Sequence, residues 1–318
     1  MEKKRYVLGM DIGGTNSVFG IVDRDGNVLS SDSVKTKAYP VLKEYVKTVS
    51  ERIKSLISSQ EIDITDVAGL GIGAPNANYY TGSIEFAPNL PWKGEVIPLA
   101  RLFEEELGIP VTLTNDANAA ALGEYTYGVA KGINHFIMIT LGTGIGSGII
   151  IDGKLLYGKH GVAGELGHVI VKPGGRLCGC GRRGCLERYC SATGIVTTAL
   201  ERLSESDAPS LLRQIDKDSM NSKDIYDAAV AGDEMAISIF KETGEILGKA
   251  LADFALFSDP EAFVLFGGLA KAGDFISKYA REAMEEALMP LFKGKVKLLV
   301  STLKDADAAV LGASALAW

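Results

Sequence analysis

Cysteine is scarce: the 318 residues hold only four, and all of them lie between residues 178 and 190. Thiols crowded into one segment cannot staple distant parts of a chain, so a disulfide framework is excluded. Basic charge is short as well, with 33 Lys and Arg against 40 Asp and Glu and a formal net charge of -7. Neutralising nucleic-acid phosphates needs a basic face, so nucleic acid is not expected as a partner. Arg182, Arg183 and Arg188 are the nearest approach to such a patch. Long apolar runs are missing too, because Gly, Asp or Lys interrupts each before it could span a bilayer. No secretory apolar stretch with a cleavage site follows the N-terminal Met-Glu-Lys-Lys-Arg, and the expectation is a cytoplasmic protein with no membrane partner. There is no Walker loop, and no Gly-x-Gly-x-x-Gly joins a strand to a helix, which argues against a dinucleotide-dependent dehydrogenase.

What is present suits a globular chain of about two domains: 47% hydrophobic and 23% charged residues. The opening reads strand (Tyr6–Met10), glycine turn (Asp11-Ile-Gly-Gly-Thr-Asn16), strand (Ser17–Val22), turn, strand (Val28–Val34). Helical spacing covers Pro40–Ser58, Leu99–Leu107 and Asp116–Tyr127, with buried strands at Val67–Ile72 and Val111–Leu113. The pattern then restarts: strand His135–Leu141, a glycine run Gly142-Thr-Gly-Ile-Gly-Ser-Gly148, and strand Ile149–Ile151. The two glycine-bent hairpins form a weak internal repeat. The remainder is mostly helical, with strands at Ala262–Phe266 (ending in Gly267-Gly268) and Lys295–Val300, and a small-residue helix from Ala306 to the end. No low-complexity linker intervenes, so a boundary near residue 117 is expected to be a hinge.

Three groups of residues carry chemistry. The two glycine loops expose backbone N–H groups where a phosphate can approach; Thr15 adds a hydroxyl, and Asp11 is placed to hold a hydrated magnesium ion. Each loop alone is equally a tight hairpin whose glycines satisfy turn geometry. Glu165-Leu-Gly-His168, followed by Cys178-Gly-Cys180-Gly-Arg-Arg-Gly-Cys185-Leu-Glu187, is the inventory of a closed tetrahedral zinc site. Small buried hydrophobes or a redox role are the alternatives, but redox chemistry explains neither His168 nor the glycines. Four protein ligands leave no open position, so the zinc would be structural, stiffening a loop that presents Glu165 and Glu187 to a polyol. Cys190 is left over as a packed thiol. Finally, Thr114-Asn115-Asp116-Ala117-Asn118 opens a helix after an apolar strand. Asn and Asp are ordinary N-caps, but at a hinge between two phosphate loops Asp116 is also placed to take the proton of an attacking hydroxyl.

Together these motifs resemble the ROK family (repressors, open reading frames and sugar kinases) over almost the whole chain. The resemblance implies an α/β, two-domain actin-like or hexokinase-type ATPase fold of ribonuclease H-like domains, with ATP and sugar meeting in an interdomain cleft. It divides the chain into a small domain, 1–117 joined by a C-terminal helix 304–318, and a large domain, 118–303, carrying the zinc loop. It implies Asp116 as the general base, with Asn89, Asn115, Asp116, Glu165, His168 and Glu187 on the sugar. Asp11, Gly13, Gly14, Thr15, Asn16, Thr143, Gly144, Gly267 and Gly268 would line the nucleotide site, and His168, Cys178, Cys180 and Cys185 would hold zinc. The implied cofactors are ATP, Mg2+ and structural Zn2+, and the implied assembly is a homodimer. Gly73-Ala-Pro75 is followed by Asn76 where family members often carry glycine, so Asn76 either touches the sugar or occupies a left-handed turn.

The expected activity is an ATP-dependent hexose kinase, with glucose the favoured acceptor and N-acetylmannosamine or N-acetylglucosamine next. A sugar-responsive repressor would need a DNA-binding segment, and only ten residues precede Asp11. A non-catalytic sugar sensor is the remaining alternative.

Overall fold

The computed structural model describes residues 4–303 and 305–318. In chain order it runs β1 (Tyr6–Ile12), β2 (Ser17–Asp23), β3 (Val28–Val34), α1 (Leu42–Ser59), β4 (Val67–Gly73), β5 (Ala77–Asn78), β6 (Ser83–Glu85) and β7 (Val96–Ile97). There follow α2 (Leu99–Leu107), β8 (Val111–Thr114), α3 (Asp116–Tyr127), β9 (Phe136–Leu141), β10 (Ile145–Ile151) and β11 (Lys154–Leu155). The rest is α4 (Glu187–Cys190), α5 (Ala192–Glu205), α6 (Ser222–Val230), α7 (Glu234–Ser258), β12 (Ala262–Phe266), α8 (Asp274–Ala287), β13 (Lys297–Val300) and α9 (Asp305–Ser314). The mixed α/β class expected from the sequence is the class observed. The expected start of the last helix at Lys304 lies outside the described residues.

Two compact units emerge: Met1–Gly132 with Gly148–Ala163 and Thr302–Trp318, and Ile133–Ser147 with Gly164–Ser301. The first break falls after α3, at Gly132, rather than near residue 117. α3 stays with the first unit because it packs on α9, where a side chain at Gly123 would come within 2.8 Å of the Gly312 Cα.

The first unit is built on a sheet of order β3-β2-β1-β4-β8. β1 runs antiparallel to β2 but parallel to β4, and β4 is parallel to β8. Alternation sorts β1 into two faces. Leu8, Met10 and Ile12 join Phe19, Tyr45, Ile53, Leu70 and Phe103 in the core beneath α1 and α2. Val7 faces the other way, with Val22, Val310 and Leu311 of α9. Gly9 shares that second face, and the helix sits so close that a Cβ there would lie 1.9 Å from the Val310 carbonyl oxygen. Gly71, on β4, meets Ala313 in the same way. Glycine at these positions lets α9 lie directly on the strands that carry Asp11 and Gly73.

In the second unit β12 lies between β9 and β13 and is parallel to both. α7 and α8 pack through Gly244 and Gly248, the latter within 2.3 Å of a carbonyl if it bore a Cβ. β10 begins at Ile145, inside the glycine run that the sequence suggested was all loop. Gly148, where β10 passes into the first unit, is there for close packing on α3 of that unit: a Cβ would sit 2.5 Å from that of Ala121. The short three-stranded sheet β5-β6-β7 carries no periodic signal long enough to read from sequence.

Gly9→Ala forces a methyl into the backbone of α9 and is expected to cost about 3 kcal/mol by overpacking. Urea unfolding checks this; an unchanged midpoint would mean that α9 does not lie on β1.

Candidate active site

In the first unit, strand register assembles the acidic centre. Asp11 is paired with Gly73, and Gly73 with Thr114, so the carboxyl ends of β1, β4 and β8 stand side by side. Ligands of α/β sheets bind at such ends. α3 starts immediately beyond Thr114, capped by Asn115, whose side-chain oxygen accepts from the Asn118 N–H at 2.7 Å. Asp116 is exposed, and its Oδ1 accepts from the Ala117 N–H at 2.8 Å. A Cβ at Gly73 would lie 3.5 Å from Asp11 Oδ1 and 3.7 Å from Asp116 Cα, so the absent side chain leaves the two acids neighbours. Burial, then the Asp116 charge, raises the Asp11 carboxyl to about 6. A half-desolvated carboxylate repelled by a second one, next to free backbone donors, suits a hard dication bound through one or two carboxylates and substrate phosphates.

The first glycine loop is closed by the Gly13 N–H on the Asn16 carbonyl at 2.9 Å, leaving Thr15 and Asn16 exposed. A Cβ on Gly14 would lie 2.7 Å from the Asn89 carbonyl oxygen, so the loop carrying the exposed Asn89 rests on the glycine turn. Asn76 settles as a turn residue: its φ is 52°, and its amide donates to the Glu85 carbonyl at 3.1 Å.

In the second unit the turn Gly142–Gly144 is closed by the Gly142 N–H on the Gly144 carbonyl. The start of α5 holds it, with Ala192 N–H on Gly142 O and Thr193 Oγ1 on Thr143 O, both at 2.8 Å. Glu187 is the strut between this hairpin and the cysteine loop. Its Oε2 accepts from the Ile145 N–H at 3.0 Å, and its Oε1 lies 3.7 Å from Cys178 Sγ. Glycine at 144 leaves room for this carboxylate, since a Cβ would fall 2.4 Å from Glu187 Oε2 and push it aside. Gly267, with φ of 101°, lets β12 turn away against the Leu141 backbone.

The Glu165–His168 stretch is pinned to β10. Ser147 Oγ donates to the Gly164 carbonyl, and a Cβ on Gly167 would lie 2.2 Å from Ile145 O. His168, Cys178, Cys180 and Cys185 converge with their ligand atoms all within 4.8 Å of one another. Cys178 Sγ is 3.6 Å from His168 Nδ1, and the Cys180 and Cys185 sulfurs are 3.7 Å apart. Thiolates about 2.3 Å from a tetrahedral zinc stand about 3.8 Å from each other, so the donor set fits that ion. Burial pushes the Cys178 and Cys185 thiols up, the latter to about 12. Keeping both as thiolates therefore needs a compensating cation. His168 Nε2 is left over, 4.0 Å from the exposed Glu165 Oε2. Cys190 is fully buried outside this group, its sulfur on the Thr243 carbonyl.

The structure thus joins Asp11, Asp116, Asn115, Gly13–Asn16 and Asn89 within one unit, and Thr143, Gly144, Glu187, Glu165, the metal set and Gly267–Gly268 within the other. Sequence reasoning missed a cavity of about 350 Å3 beside Gly268, lined by Ser222, Tyr226, Phe240, Leu269 and Ala272. Its residues come from three separate segments, so only a patch of aromatic and small residues near Gly267-Gly268 hinted at it. A larger cavity, about 700 Å3 between Arg202, Ser210, Asp233 and Ser238, holds none of the expected site residues.

A protein-family model described as the ROK family matches residues 7–318. The chain is 39% identical over 287 residues to the glucokinase of Streptomyces coelicolor, covering 89% of this chain and 88% of that one. It is 35% identical over 311 residues to the glucokinase of Halalkalibacterium halodurans, covering 97% and 93%. Among solved structures it is similar to a ROK family glucokinase from Streptomyces griseus in complex with glucose and AMPPNP, with a TM-score of 0.77, 37% identity and coverage of 97% and 98%.

The folded chain holds the Asp11 proton longer than the unfolded one, so stability falls as pH rises from the ordinary 3.8 to about 6. Asp11→Asn, in magnesium-free buffer, is expected to raise Tm at neutral pH and to flatten its slope across that window. A Tm lowered equally at every pH would show that Asp11 carries no such burden.

Proposed function

The chain belongs to the ROK family, and from that membership and the Asp11–Asp116 pair we propose how its site works. The protein is an ATP-dependent sugar kinase that moves the γ-phosphoryl group to a hexose hydroxyl, with glucose as the acceptor. The observation that carries the residue assignment is the pairing of Asp11 with Asp116 across Gly73, beside a glycine turn that offers backbone donors.

Asp116 is the general base. Its Oδ1 is occupied by the Ala117 N–H, which leaves Oδ2 for the attacking hydroxyl. Asn115 spends its side-chain oxygen on the helix cap and keeps its amide donors for the sugar. Asn89 adds a third polar group from the loop that rests on Gly14. From the second unit, Glu165 and His168 Nε2 bracket a hydroxyl, accepting and donating. Glu187 retains lone pairs for the sugar besides the one given to Ile145. Asp11 would hold Mg2+, which when bound neutralises phosphate charge. Gly13, Gly14, Thr15 and Asn16 bind phosphate oxygens in the first unit, and Thr143, Gly144, Gly267 and Gly268 do so in the second. The cavity beside Gly268 takes the base, with Tyr226 and Phe240 as apolar walls. Phosphoryl transfer asks little covalent chemistry of a protein, so positioning of this kind supplies most of the rate.

The cysteine set would hold Zn2+ as a structural ion. A reducing compartment keeps its thiols available, which supports a cytoplasmic location, and no helix among the described residues is long and apolar enough to cross a membrane. Homodimerisation completes the reading and is checked by light scattering.

ATP consumption measured against glucose, mannose, fructose, N-acetylglucosamine and N-acetylmannosamine is expected to show glucose as the best acceptor. A higher kcat/KM for either acetylated sugar would reassign the substrate. Asp116→Asn is expected to lower kcat by about a thousandfold while calorimetric sugar binding persists. Activity comparable to wild type would remove Asp116 from the base role. Metal analysis should find one zinc per chain; Cys185→Ser should lose it together with thermal stability, and full retention would take Cys185 out of the ligand set.

A further inference from the structure

Beneath the first glycine loop lies a row of buried hydroxyls that neither the motifs nor the proposed function uses. Ser17 opens β2, Thr36 follows β3, and Tyr45 sits in α1, and each is at most 1% exposed. Tyr45 OH is 2.7 Å from Ser17 Oγ, Ser17 Oγ is 2.8 Å from Thr36 Oγ1, and Thr36 Oγ1 donates to the Gly13 carbonyl at 2.8 Å. A carbonyl can only accept, and each hydroxyl has one proton. Thr36 therefore gives its proton to Gly13 and must accept from Ser17; Ser17, having given its own, must accept from Tyr45. The row has one direction, and Tyr45 is its first donor. The phenol cannot drift, because its ring is wedged between Trp92 at 4.7 Å, Tyr39 at 5.9 Å and Phe103 at 6.4 Å between centroids.

The end of the row matters because of peptide geometry. A trans peptide is planar, so the carbonyl of Gly13 and the N–H of Gly14 point in opposite directions. Anchoring that carbonyl inward on Thr36 turns the Gly14 N–H outward. Two adjacent glycines otherwise give this peptide little resistance to flipping, since neither has a Cβ to restrict φ and ψ. The Gly13 N–H is already spent on the Asn16 carbonyl, so the Gly14 amide is the donor whose direction remains to be set.

We propose that Tyr45, Ser17 and Thr36 form a positioning relay that locks the Gly13–Gly14 peptide so that the Gly14 N–H faces the nucleotide phosphates. The proposal rests on the reading of Gly13–Asn16 as a phosphate loop. The three residues touch no substrate; they act through one peptide plane, on nucleotide binding rather than on sugar binding.

The test combines steady-state kinetics with amide hydrogen exchange of the 13–16 segment in the unliganded full chain. Thr36→Val removes the final donor at nearly constant volume, Thr36→Ser keeps it, and Tyr45→Phe removes the first donor while keeping the ring. Thr36→Val is expected to raise the nucleotide KM by about tenfold, the worth of a buried hydrogen bond and its orphaned partner. It should speed exchange at residues 13–16 and leave the sugar KM in place. Thr36→Ser should restore both readouts, and Tyr45→Phe should reproduce them in smaller degree. The double variant should be no worse than Thr36→Val alone, since a relay is already broken at its last link. Should Thr36→Val fail to fold, Tyr45→Phe carries the same comparison. Unmoved loop exchange, or losses shared equally by both KM values and by exchange throughout the chain, would overturn the relay. A wild-type chain that transfers no phosphate from ATP would overturn the phosphate-loop reading instead, and the exchange arm would still decide whether the hydroxyls hold the loop.

Discussion

The first unit depends on placing a half-buried carboxylate, Asp11, beside an exposed one, Asp116. Two like charges repel, and burial adds to the cost at Asp11 while Asp116 stays exposed, so the surrounding structure has to hold Asp11 where it is. Parallel register puts the ends of β1, β4 and β8 level. Gly73 lies between the two acids, within contact distance of Asp11 Oδ1 and Asp116 Cα, and Asn115 fixes where α3 begins. On the same sheet face Gly9 and Gly71 admit α9 to direct contact with the strands. The tension at Asp11 is thus held by ordinary packing elsewhere, as is usual where a fold stores cost at a functional site.

The second unit solves a different problem, which is stiffening a long irregular segment. Residues between β11 and α5 have little regular structure, and loops without it are normally mobile. Here the segment is cross-tied. Gly167 lies on β10, Ser147 grips Gly164, and the side chains of His168 and three cysteines converge on one point. Glu187 extends the tie to the second glycine turn through Ile145. One carboxylate therefore connects the cysteine loop with the second glycine hairpin, which makes Glu187 a mechanical element of this unit.

Much of the candidate site was legible because its signals are local. Asn115-Asp116 after an apolar strand reads as a helix start, and the helix begins there. The spacing of His168 and the cysteines reads as a metal set, and their ligand atoms converge. The glycine run reads as loop, yet Gly146 and Gly148 lie inside β10, and at Gly148 it is packing on α3, not a turn, that calls for glycine. The break between units is not legible locally for a related reason, since the grouping of α3 with α9 rests on long-range contacts such as Gly123 with Gly312 and Gly312 with Ala119.

By itself the sequence determined the chemistry: which carboxylates, thiols and glycines exist, and in what short patterns. Local spacing is enough for that, because turns, caps and metal loops close over a few residues. Tertiary structure alone decided what stands beside what. Ser17, Thr36 and Tyr45 are unremarkable in three separate segments, and the cavity beside Gly268 draws on residues some forty positions upstream. A hydroxyl's role depends on the partner it reaches, and that partner is set by how helices and strands bury their apolar faces, over distances that no local pattern encodes.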